Sequence, residues 1–85
     1  MSAPVIKFPF ITEKATLSME KNNTLQFIVG RESRKEQIKK AVEEMYNVKV
    51  VKVTTLTTPY GQKKALVTLS AENSAEEIAS RLGIF

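Results

Sequence analysis

Residues 47–70, NVKVVKVTTLTTPYGQKKALVTLS, leave the chain little choice of local structure. From Val48 to Thr58 nearly every position is β-branched, which favours a pleated strand over a helix. Thr58-Pro59-Tyr60-Gly61 then reads as a turn, with Pro suited to its second position and Gly to a positive φ. Lys63 to Leu69 is the return strand. Ala65, Val67 and Leu69 line one of its faces; Lys64, Leu66 and Thr68 line the other. The adjacent pair Val50-Val51 breaks simple alternation, so a bulge or face switch there moves Lys49 relative to Lys52. An isolated hairpin is marginal in water, so the rest of the chain has to cover its apolar face.

The charge is segregated. Residues 1–46 carry eight basic and six acidic side chains; residues 71–85 carry one basic and three acidic. These parts cancel, and the net +4 of the 85 residues lies in the hairpin, which has four lysines (Lys49, Lys52, Lys63, Lys64) and no acid. A surface of that kind favours anionic partners, nucleic acid first.

The remaining segments supply the cover. Val5 to Phe8, bounded by Pro4 and Pro9, is a short edge strand, since proline cannot donate to a sheet ladder. Thr12 to Glu20 reads as a helix with Thr12 as N-cap, Glu13 in its positive first turn, and Ile11, Ala15 and Met19 on one face. Asn22-Asn23 is a turn signal. Thr24 to Val29 alternates, with Leu25, Phe27 and Val29 on one side; Ile28 predicts that the other side is also partly covered. Ser33 to Tyr46 is the clearest helix. Ser33 and Glu36 form an S-x-x-E capping box, and Ile38, Ala41, Val42 and Met45 make one apolar stripe. Glu36 with Lys40, and Lys39 with Glu43, stand four apart and predict helix-supporting pairs. The charges on this helix read as a solvated face, with Arg34 and Lys35 as the exceptions. Ser74 to Leu82 repeats both the box (Ser74, Glu77) and the stripe (Ala75, Ile78, Ala79, Leu82), with Gly83 as C-cap. The order β-α-β-α-β-β-α predicts an α/β sandwich of the α+β kind with a mainly antiparallel sheet.

The chain contains no His, Cys or Asp, and its three glycines stand alone. A Ser-His or Cys-His nucleophile pair is therefore impossible, and the usual zinc ligands are missing. The glutamates do not cluster as a calcium or magnesium site needs. No phosphate loop or dinucleotide fingerprint fits. No catalytic residue, metal, cofactor or small-molecule substrate is expected. The longest apolar run falls far short of a membrane span and no signal peptide precedes it, so a cytoplasmic protein without membrane insertion is the simplest reading.

The hairpin offers RNA chemistry instead. Lysines neutralise phosphates, threonine hydroxyls bond phosphate oxygens or 2′-hydroxyls, and Tyr60 at the turn is placed to stack on an unpaired base. The plainer alternative is that the threonines serve β-propensity and the lysines guard an exposed edge.

The segments Pro9-Phe10-Ile11-Thr12-Glu13-Lys14, Ser33 to Val50, Val53-Thr54-Thr55-Leu56 and Lys63 to Leu69 together resemble the large-subunit ribosomal protein L-twenty-three family. The terminal Ser80-Arg81-Leu82-Gly83-Ile84-Phe85 resembles its archaeal branch. The resemblance covers nearly the whole chain and rests on order and spacing rather than on one motif. It implies a four-stranded, mostly antiparallel sheet and one RNA-binding domain over residues 1–85. It implies binding to the third domain of the large-subunit ribosomal RNA at the rim of the polypeptide exit tunnel, beside ribosomal protein L-twenty-nine. It also implies docking of nascent-chain factors such as the signal recognition particle, with Glu13 as the docking glutamate. The expected RNA contacts are Lys7, Lys14, Lys49, Lys52, Lys63 and Lys64, with Thr12, Thr54, Thr55, Thr57 and Tyr60 adding polar or stacking contacts. Bacterial members carry a long loop between the two hairpin strands; the short turn here implies a hairpin that stays at the tunnel rim. The competing reading is a protein–protein adaptor that uses a free sheet edge or the first helix.

Overall fold

The computed structural model describes residues 6–10 and 12–81, without the side chains of Lys7 and Phe8. The expectations for Val5, Ile11, Leu82 and Gly83 lie outside the described residues. The elements in chain order are β1 (Ile6–Pro9), α1 (Glu13–Asn22), β2 (Thr24–Val29), α2 (Lys35–Tyr46), β3 (Val50–Thr57), β4 (Lys63–Leu69) and α3 (Ala75–Arg81). The fold is α+β, with three helices against an antiparallel sheet. β4 lies between β2 and β3, and the short β1 adds to the outer side of β2 with a register shift between Ile6 and Phe8.

Strand alternation divides the sheet cleanly. Leu25, Phe27 and Val29 of β2, Ala65, Val67 and Leu69 of β4 and Val50 of β3 face the main core. Ile38 and Val42 of α2 and Ala75, Ile78 and Ala79 of α3 pack into the same cluster. Both faces of β2 are buried, as Ile28 predicts. On the second face Gln26 donates to Ser18 Oγ of α1 (3.4 Å), while Met19 of α1 joins the main core. Beyond β2 the second face of β3 and β4 carries only partly covered or exposed side chains.

The helix ends show where local signals were overruled. Thr12 caps α1 as expected, accepting from Ala15 N–H (3.1 Å). Ser74 Oγ likewise accepts from Glu77 N–H (3.3 Å), but the Glu77 carboxylate binds Arg81 (3.0 Å) instead of closing a box. Ser33 does not cap α2. A turn from Gly30 places Ser33 one residue outside the helix, where it is buried, and the first helical bond runs from Ile38 N–H to Arg34 C=O. Gln37 Oε1, not Glu36, accepts the Arg34 N–H (2.9 Å). Strand β3 starts at Val50 rather than Val48, because the chain first leaves α2 through Asn47 at φ 54°.

Two packing expectations are also corrected. Met45 is 58% exposed, while Tyr46 fills the helix end and stacks on Phe27 with centroids 6.0 Å apart and planes 13° apart. Burial pushes the Tyr46 phenol above its usual value of 10.0. A raised folded value means stability is complete below the unfolded value and declines as pH rises through the folded one. Tyr46→Phe should remove that part of the alkaline decline. Denaturation of both proteins from about pH 8 to 11 checks this; parallel curves would assign the decline to other groups. Neither expected ion pair of α2 forms: among the described residues the only ion pair is Arg81–Glu77. Glu43 turns instead to Val50 N–H (3.1 Å), a backbone donor at the edge of the sheet.

Candidate nucleic-acid interface

The hairpin turn holds the two basic strands in register. Thr58 N–H donates to Gln62 C=O (2.8 Å) and Gly61 N–H to Thr58 C=O (3.0 Å), with Gly61 at φ +82°. A three-residue loop ending in a left-handed glycine matches the twist of antiparallel strands. The Thr58 hydroxyl ties the loop further, donating to Gln62 C=O and accepting from Gln62 N–H. Tyr60 stands at the tip, 90% exposed.

Register decides which candidates meet. Lys52 pairs with Thr68, Thr54 with Leu66 and Leu56 with Lys64. These six side chains share the second face, away from the main core. Phe10 joins them, since its N–H bonds Gln26 C=O and its ring lies 4.5 Å beneath the Lys64 ammonium. That stacking fixes the cation over an aromatic face. The result is a platform of apolar and hydroxyl-bearing side chains with a cation at each end.

The other candidates are dispersed. Thr55 and Thr57 pair with Ala65 and Lys63 on the opposite face. Lys63 therefore points away from Lys64, and its ammonium donates to the Ser33 carbonyl ahead of α2. Sequence alternation separated the two lysines; it gave no sign that one would be tied to a loop thirty residues earlier. The bulge expected at Val50-Val51 is present, with a register shift between Val50 and Lys52. Lys49 lies before it, exposed, at the far end of the hairpin from the turn, where its N–H bonds Asn73 Oδ1 (3.0 Å). Thr12 is spent as a helix cap, while Glu13 and Lys14 are exposed on the first turn of α1. The side chain of Lys7 lies outside those described.

A shallow open depression lies along α1, lined by Thr12, Glu13, Thr16, Leu17 and Glu20. Leu17 is exposed there between two acids. Sequence reasoning passed over Leu17, whose only signal was an apolar residue off the buried stripe. Among the described residues no group of His, Cys, Asp or Glu is placed to hold a metal, and no helix is long and apolar enough to cross a membrane.

The sequence profile of the family described as "Ribosomal protein L23" matches residues 4–77. Three archaeal relatives carry the description "Large ribosomal subunit protein uL23". That of Methanospirillum hungatei is 49% identical over 80 residues, covering 94% of this chain and 98% of the relative. That of Picrophilus torridus is 52% identical over 77 residues, covering 91% and 93%. That of Haloarcula marismortui is 48% identical over 85 residues and the full length of both. With the match running through both hairpin strands and all three helices, this chain belongs to the ribosomal protein L23 family.

Proposed function

We propose that this chain, a structural and non-enzymatic protein of the large ribosomal subunit in the cytoplasm, binds the third domain of the large-subunit ribosomal RNA at the rim of the exit tunnel. The whole chain serves as one RNA-binding domain, with the β3–β4 platform at its centre. The observation that carries this reading is the second-face platform, where Lys52, Thr54, Lys64 and Thr68 stand together and no acid interrupts them. Lysines at both ends meet phosphates, and the threonines between them bond sugar or phosphate oxygens. Tyr60 stacks at the tip on an unpaired base. Lys49, Lys14 and Lys7 add charge at the margins; Thr12, Thr55, Thr57 and Lys63 add polar contacts from the adjoining faces. The short turn keeps the hairpin at the rim.

Glu13, with Leu17 and Glu20, forms the docking surface for nascent-chain factors such as the signal recognition particle, and ribosomal protein L-twenty-nine is the neighbour in the subunit. An exposed apolar side chain flanked by acids supports docking of a partner with a basic and apolar face.

Replacing Lys52 and Lys64 together by Gln should lower affinity for a third-domain RNA fragment about tenfold at 0.1 M salt and reduce the salt slope by about two. Filter binding across a salt series measures both. Parental affinity with a parental slope would remove the platform from the interface.

A further inference from the structure

We infer that the RNA wraps the free edge of β3 and is gripped on the helix side by Lys35 and Lys39 of α2. This rests on the RNA-binding reading and extends it to Lys39, which a sequence reading leaves as solvated charge, and to Lys35, which it sets apart. β3 is the last strand of the sheet among the described residues, so its outer edge has no strand partner among them. The register shows which backbone groups it offers. Thr58 and Gln62 form a hydrogen-bonded pair at the turn, and such pairs alternate along an antiparallel ladder. Leu56, Thr54 and Lys52 therefore spend their backbone groups on β4, while Thr57, Thr55 and Val53 turn theirs outward.

Helix α2 crosses the core face of the sheet antiparallel to β3, and its exit comes to this edge. Lys63, opposite Thr57, donates to the Ser33 carbonyl at the entrance of α2, and Glu43 near its exit accepts from Val50 N–H. Lys35, Lys39 and Glu43 stand four apart and form one row on the helix. Glu43 touches β3, so the row runs on the β3 side. Both lysines are exposed, and neither has a carboxylate within 4.0 Å among the described residues. Glu43, the natural partner of Lys39, is held by the backbone of Val50.

The edge is thus flanked by cations on both sides: Lys52 on the platform face, Lys35 and Lys39 on the helix. Between them lie the outward N–H and C=O groups and the hydroxyls of Thr55 and Thr57. Phosphate oxygens accept from the N–H, hydroxyl and ammonium donors, and ribose 2′-hydroxyls donate to the carbonyls. An added peptide strand would use the backbone groups but has no need of charge on both flanks; a polyanion uses both.

The test compares three variants of the full chain against the same RNA fragment over a salt series: Lys35→Gln with Lys39→Gln, Lys52→Gln with Lys64→Gln, and Lys40→Gln on the outer face of α2. The first pair is expected to lose about tenfold in affinity and one to two units of salt slope, with an unchanged melting curve, while Lys40→Gln binds like the parent. Saturating RNA should also slow amide exchange at Val53, Thr55 and Thr57. Parental binding by the Lys35/Lys39 variant, beside weakened binding by the Lys52/Lys64 variant, overturns the wrap and leaves the RNA-binding reading intact. Parental binding by both overturns the two together. An equal loss in Lys40→Gln, or unchanged exchange at the edge amides, also overturns it.

Discussion

Asn23→Ala is expected to destabilise the fold by about 3–4 kcal/mol, the largest effect of any polar substitution outside the apolar core. Asn23 ends α1 in the left-handed region at φ 52°. Its side-chain amide donates toward three carbonyls, those of Leu69 (3.2 Å), Ser70 (3.1 Å) and Asn73 (2.8 Å). Its Oδ1 accepts the Ala75 N–H (2.7 Å) at the start of α3. One side chain therefore joins the end of α1, the end of β4 and the entrance of α3. Asn73 passes the link on to the Lys49 N–H. Alanine loses all of these bonds, each worth about 0.5–1.5 kcal/mol net. It also pays about 1 kcal/mol for the left-handed backbone. Against a total of about 4–13 kcal/mol for a chain this size, the loss is severe. Asn23→Gly separates the two causes: it should recover only the backbone part, about 1 kcal/mol. Urea denaturation of the three proteins measures both steps, and a loss below about 1 kcal/mol in Asn23→Ala would show that the bonds are replaced by solvent.

Phe27→Ala is expected to cost about 3–5 kcal/mol, the range for emptying a buried aromatic site. Phe27 is 1% exposed at the centre of β2, registered between Ala65 and Pro9. Neither neighbour is large enough to fill the space it would leave. Its ring also stacks on Tyr46, which fastens α2 to the sheet. Phe27→Leu keeps most of the volume but loses the stacking, and should retain more than half of the stability lost by alanine. Denaturation midpoints check the order parent, leucine, alanine. If leucine and alanine were equally destabilised, the Tyr46 stacking rather than the filled volume would hold α2 in place.

Local pattern carried most of the fold. The 3.6-residue stripe put Ile38 and Val42, and again Ala75, Ile78 and Ala79, on buried helix faces. The two-residue alternation put Ala65, Val67 and Leu69 on the core side and Lys64 with Thr68 on the other. The candidate site was legible to the same depth. Alternation groups Lys64 with Leu66 and Thr68, and register then adds Lys52 and Thr54. Phe10 escaped, because its place beneath Lys64 depends on β1 lying two strands away from β4. Met45 fitted the stripe and still lies in solvent, since at the helix end the covered arc turns toward Tyr46, whose ring stacks on Phe27.

The sequence by itself determined the hairpin, most of the helix faces, the lack of His, Cys and Asp, and the location of the net charge. Each of these follows from residue type or short-range spacing. Tertiary structure decided what the charged and polar groups do once distant segments meet. Glu43 left Lys39 for a backbone donor on β3, Lys63 was tied to Ser33, and Asn23 became the junction of three elements. The reason is physical: an unpaired backbone group at a buried or edge position costs more than a solvated surface ion pair returns, so the polar side chains go where the fold leaves such groups open.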